Sequence, residues 1–161
     1  MITDVLLEHP WLSPTALVLM VVLGPILGSW LACRPALAWS LSGLSLLPVA
    51  FLTLVPVDRV PFERCAVQWA LPTPGRVELM ANVVLFVAPV LLLGVVTRRP
   101  VPVLVVASGL SASLEVLQAV LPTIGRSCDT NDWLSNTIGA VIGATVAWVA
   151  LRRAHPAALR R

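Results

Sequence analysis

Runs of residues free of Asp, Glu and Arg cover positions 9–33, 35–57, 79–97, 100–114 and 133–151. A helix that crosses a bilayer needs about 20 mostly apolar residues, each rising about 1.5 Å. Four of the runs are long enough by themselves. The run at 100–114 is cut short by Glu115, but apolar residues resume through Leu121, so 101–121 reads as a span that carries an acid. The pattern predicts five transmembrane helices, at about 12–33, 36–57, 78–97, 101–121 and 132–151. The expected fold is all-α, one polytopic membrane domain over residues 1–161. Asp4 and Glu8 stand at the start without a basic residue. A cleavable leader begins positive, so the first helix is expected to be retained.

Composition strengthens this reading. The 161 residues are 58% hydrophobic and 12% charged, and mean hydropathy is +0.91. Soluble domains carry about 25% charged residues. An ordinary water-soluble domain and a disordered chain are both excluded.

Charge placement predicts orientation. All eleven basic residues are Arg. With the N-terminus outside, Arg34, Arg98, Arg99, Arg152, Arg153, Arg160 and Arg161 fall on the cytoplasmic side with no acid among them. Arg59, Arg64, Arg76 and Arg126 fall outside with every Asp and Glu. The positive-inside rule then gives N-out, C-in. Trp11, Trp69 and Trp133 sit at predicted outer boundaries, and Trp30, Trp39 and Trp148 near inner ones, where indole rings favour the headgroup level. The sequence holds no nucleic-acid-binding motif. Its net charge of +3 reflects inner arginines set against anionic lipid.

Cys65 and Cys128 both fall in outer loops, while Cys33 ends the first helix on the inner side. The outer compartment permits disulfides, so a Cys65–Cys128 bridge and two free thiols are both open readings. His9 and His155 fall on opposite faces, which disfavours a histidine metal site.

Ionisable groups inside a span are expensive and usually face the bundle interior. Here they follow helical spacing. Glu78 and Asn82 open the third helix four residues apart. Ser108, Ser111, Glu115 and Gln118 make one stripe on the fourth. Arg126, Asp129 and Asp132 precede or open the fifth, and Asn136 follows one turn later. Glu115 lies roughly 21 Å along its helix from Val101, in the outer third of a core about 30 Å thick. The three helices therefore place polar groups on one face at one depth, which predicts a polar pocket in the outer leaflet. Each residue also has a plainer role. Asp129 or Asn131 would cap the fifth helix, and Asn82, Gln118 and Asn136 would hydrogen-bond helices together. Arg126 would serve as counter-ion to the acids or as a fork for an anionic headgroup. Gly139 and Gly143, four apart, permit close helix approach, either within the chain or in a homo-oligomer.

The order Asn82, Glu115-x-x-Gln118, Arg126, Asp129, Asp132, Asn136, Gly139, Gly143 resembles the VanZ-like family over about residues 76–150. The resemblance implies a small multi-pass protein of the bacterial cytoplasmic membrane. The family's named member is linked to low-level resistance to the glycopeptide teicoplanin, a phenotype without an assigned reaction. Residues 1–75 carry no motif of it.

Three functions follow as expectations. In the first, Asn82, Glu115, Gln118, Arg126, Asp129, Asp132 and Asn136 engage a membrane lipid headgroup or a polyprenyl-linked cell-wall intermediate. Arg126 and helix-end N–H groups would then meet phosphate oxygens. In the second, the protein is an intramembrane enzyme. Glu115, Asp129 and Asp132 are its candidate catalytic residues, holding a divalent cation through oxygen ligands or acting as acid and base. No nucleophile–base pair accompanies them. The third is a proton-coupled carrier using Glu115, for which the inner half lacks polar residues.

Overall fold

The computed structural model describes residues 6, 8–56, 64–121, 123 and 125–158, with side chains described as far as residue 154. The expectations for Asp4, Arg59, His155, Arg160 and Arg161 lie outside those residues or side chains. Five helices are long and apolar enough to cross a membrane: α1 (Leu12–Leu31), α2 (Pro35–Leu54), α3 (Val77–Thr97), α4 (Pro100–Val120) and α5 (Thr130–Ala158). The fold is all-α, and the chain is a multi-pass membrane protein.

Helix ends follow local chemistry. Pro35 and Pro100 start α2 and α4, which suits a residue whose missing N–H would have no partner there. The residue before proline is pushed out of the helical region, and both Arg34 and Arg99 adopt φ −133°, ψ 69°. That stops α1 at Leu31 rather than residue 33. Val55, ahead of Pro56, is likewise extended, so α2 stops at Leu54 rather than 57. Arg98 closes α3 at φ 57°, the left-handed geometry that ends helices. At the other extreme α5 runs past 151 to Ala158. Arg152 does not interrupt it: its guanidinium lies over Trp148, 3.7 Å from the ring centroid, and the long side chain can reach the headgroup level from there.

α3 and α5 form the centre. They bury 56% and 50% of their spans, against 11–17% for the other three. α5 packs on α3, α1 and α4, while α2 packs on α3. Small residues make this possible. A Cβ at Gly139 would run into the Val83 carbonyl, and one at Gly143 would lie 2.6 Å from the Val87 carbonyl oxygen. The paired glycines are thus used within the chain, between α5 and α3. Gly24 and Gly28 do the same for α1, where added Cβ atoms would lie 2.7 Å from Val146 and 2.7 Å from Ala150.

At one end of the bundle, β1 (Cys65–Ala66) pairs in parallel with β2 (Cys128–Asp129). Cys65 and Cys128 are joined by a disulfide, with Cα atoms 4.5 Å apart. This is the disulfide end. The opposite end carries the Arg34 and Arg98–Arg99 turns and Arg152–Arg153, and is the arginine end.

Candidate functional site

The site is built around the start of α5. Asp129 is its N-cap: the carboxylate accepts the N–H of Asn131 at 2.8 Å, as a capping Asp does. The N–H of Asp129 itself donates to Glu115 Oε2 on α4 at 2.8 Å. Asp132, in the first turn, accepts from Asn82 Nδ2 of α3 at 2.6 Å. Three carboxylates therefore gather at one helix N-terminus, where backbone N–H groups and the helix dipole favour negative charge. Each also lies within electrostatic reach of the others.

One turn deeper, the amides and hydroxyls pair between helices. Asn136 Nδ2 donates to Ser111 Oγ at 2.9 Å. Ser108 and Thr137 share a hydrogen bond of 2.9 Å. These bonds join α4 to α5 along the stripe that helical spacing predicts. Gln118 belongs to a different contact. It is buried, and its Nε2 donates to the Thr53 carbonyl at 3.2 Å, tying α4 to the last turn of α2. Glu78 is exposed, within electrostatic reach of Asp132.

The loop before α3 closes over this region. Thr130 Oγ1 donates to the Gln68 carbonyl at 2.5 Å and accepts from the Gln68 N–H at 2.8 Å. Asn131 Oδ1 accepts from the Ala70 N–H at 2.7 Å. Trp69 and Trp133 meet edge to face, with ring centroids 6.3 Å apart. Together with the disulfide and the two-residue ladder, these contacts fix residues 65–70 along the start of α5.

Three buried atoms have no hydrogen-bond partner among the described residues: Arg126 Nε, Ser135 Oγ and Asn136 Oδ1. Ser135 and Asn136 are 0% and 5% exposed. Unsatisfied buried polar atoms are costly. Glu115 is met by the Asp129 N–H, because the helix start brings a donor directly to it. This leaves Arg126 free for another acceptor, although its charge reaches Asp132.

At the start of α5 the N–H groups of Asp129 and Asn131 serve carboxylates. Among the described residues, no three His, Cys, Asp or Glu side chains form a group that could hold a metal, Glu115, Asp129 and Asp132 included. A cavity of about 410 Å³ lies elsewhere, between α2, α3 and α4 toward the arginine end.

Sequence reasoning did not anticipate Gln68, Thr130, Ser135 or Thr137. For Ser135 a signal exists: Asn131, Ser135 and Gly139 repeat every four residues on one face of α5. Gln68 has none, since its partners are 62 positions away.

In comparison with known families, the one described as VanZ/LLP1 matches residues 14–151. The match reaches back through α1 and α2, which carry no motif of their own. No curated protein and no solved structure gave a match.

Proposed function

The chain belongs to the VanZ/LLP1 family, and from that premise we propose that it is a bacterial cell-envelope protein that holds a lipid headgroup at the disulfide end. The headgroup belongs to a membrane lipid or a polyprenyl-linked cell-wall intermediate. The observation that carries this is the set of buried atoms without partners, Arg126 Nε, Ser135 Oγ and Asn136 Oδ1, within two turns of the helix start where three carboxylates gather, Arg126 within electrostatic reach of Asp132. Such a site wants two things at once. The acids and the Asn136 oxygen accept hydrogen bonds, so they suit hydroxyl, amide or ammonium donors. Arg126 suits a phosphate oxygen. A sugar or amine carried on a phosphate supplies both, whereas inorganic phosphate alone meets the carboxylates as a like charge.

The disulfide end faces the outer side on this reading. The Cys65–Cys128 bridge belongs in an oxidising compartment, and the arginine-rich turns then face the cytoplasm. Glycopeptides act on lipid-linked wall precursors at that surface, and a protein that sequesters or alters their display would lower sensitivity to teicoplanin.

The test is native mass spectrometry of the full chain extracted in mild detergent. A phosphate-bearing lipid is expected to stay bound, with retention reduced about tenfold in Arg126→Ala, as for one charge-assisted hydrogen bond. Retention unchanged in both Arg126→Ala and Asp132→Asn overturns the proposal.

A further inference from the structure

The cavity toward the arginine end is a groove floored by α3 and walled by α2 and α4. Leu46 comes from α2, Phe86 and Leu93 from α3, and Val106 and Leu110 from α4, with Arg99 at its end. Its lining is almost wholly carbon. From Arg99 to Leu110 it follows α4 for roughly 16 Å at 1.5 Å per residue. That is about half of a hydrocarbon core some 30 Å thick, the depth that one acyl chain of one leaflet occupies.

We propose that this groove is a binding site for one acyl chain of an anionic phospholipid from the leaflet at the arginine end, with its phosphate on Arg99. The assignment is independent of the headgroup site, which lies at the other end. Charge selects the occupant. Arg34 is turned over Trp30, 3.8 Å from the ring centroid, and Arg152 over Trp148. Arg99 is exposed and borders the groove. The sequence has no Asp or Glu from 9 to 57, from 79 to 114 or after 132. Among the described residues no carboxylate therefore stands at this end to neutralise Arg99. A second copy of the chain inserted in the same orientation brings no acid to that level either. A phosphate at the headgroup level does, and a guanidinium fork matches its oxygens. A neutral headgroup offers the same acyl chain but no net charge for the surrounding arginines.

The experiment uses the full chain in lipid nanodiscs doped with photoactivatable phosphatidylglycerol or phosphatidylcholine of identical acyl chains, followed by mapping of the labelled residues. The phosphatidylglycerol probe is expected to label groove residues about fivefold more than the phosphatidylcholine probe, the preference that one arginine near the surface supplies. Arg99→Gln brings the two probes level. Val106→Trp, at a position 70% exposed, fills the groove and removes labelling by both without touching the core. Arg126→Ala leaves groove labelling unchanged, which keeps this result separate from the headgroup reading. Equal labelling by the two probes in the unaltered chain overturns the proposal. So does labelling spread over every lipid-facing helix and insensitive to Val106→Trp, or cross-links between two copies at the groove residues in place of lipid.

Discussion

The two ends of the bundle are held together by different forces. At the disulfide end, helices and loop are joined by directed contacts: Asn82 to Asp132, Glu115 to the Asp129 N–H, Asn136 to Ser111, Thr130 to Gln68, and one covalent bridge. At the arginine end there is shape. Leu31, Ala38, Leu91, Val95, Ala147 and Ala150 are buried together. Gly94 comes so close to Ala147 that an added Cβ would lie 2.9 Å from it. In a bilayer, helices gain little from hiding apolar surface, since lipid is as apolar as leucine. Close approach is what the small residues provide. Polar groups tolerate the same environment only when each finds a partner. An empty hydrogen-bonding position is therefore informative at the disulfide end, and a filled hollow is informative at the arginine end.

The largest way to break this contrast is to remove the disulfide. Cys65 and Cys128 are 63 positions apart, and closing a loop of that length stabilises by about 4 kcal/mol in the chain-entropy account. The intervening membrane helices restrict the open chain already, so Cys65→Ser with Cys128→Ser is expected to cost about 2–4 kcal/mol. Hydrogen exchange should rise in residues 64–76 and stay unchanged in 140–150. Equal acceleration in both segments means the two ends are one cooperative unit and the contrast fails.

Next comes shape. Gly28→Val places carbon where Ala150 already sits, 2.7 Å from the new Cβ. Overpacking of this kind costs about 1–3 kcal/mol. Read by denaturation in mixed detergent, the loss should appear with the exchange pattern reversed, fast at the arginine end and slow in residues 64–76. A smaller effect is expected from Asn82→Leu, which removes the donor from the Asp132 carboxylate. About 1.5–3 kcal/mol is the range for hydrogen bonds to charged groups, and water reaching this half-buried pair keeps the loss near the bottom of it.

How much of this could be read from the chain depended on distance along it. The helices were legible because a span is a local property: length and apolarity suffice. The stripe Ser108, Ser111, Glu115 was legible because a polar residue on an apolar helix declares which face looks inward. Its partners on α5 were legible from matching depth. The docking of Gln68 and Ala70 on Thr130 and Asn131 was not, since nothing local to either segment requires the other. The groove was hidden for a second reason. Leu46, Phe86 and Val106 are ordinary lipid-compatible residues, and a helix that is apolar all round gives no sign of which side meets protein and which meets lipid. A charge boundary, not this ambiguity, put the expected end of the fifth helix at 151. Arg152 and Arg153 looked like a boundary, while the backbone continues helically beyond them.

The smallest prediction sharpens the contrast most. Asn136 donates to Ser111, yet its Oδ1 is buried without a partner. Interhelical hydrogen bonds in membranes average about 0.6 kcal/mol, so a double-mutant cycle between Ser111→Ala and Asn136→Leu should give coupling near that value. The single changes should differ in size. Ser111→Ala leaves a buried amide with neither end satisfied and destabilises. Asn136→Leu removes the amide but leaves the buried Ser111 hydroxyl without its donor, a smaller loss, and only the double replacement comes close to neutral. That holds for protein stripped of lipid. With a headgroup donating to Oδ1, the same Asn136→Leu change deletes a further contact and becomes more destabilising. Measuring its unfolding free energy with and without retained lipid tests for the guest at the disulfide end. An identical value in the two states means that no ligand reaches Asn136, and that this end differs from the other only in how its helices are joined.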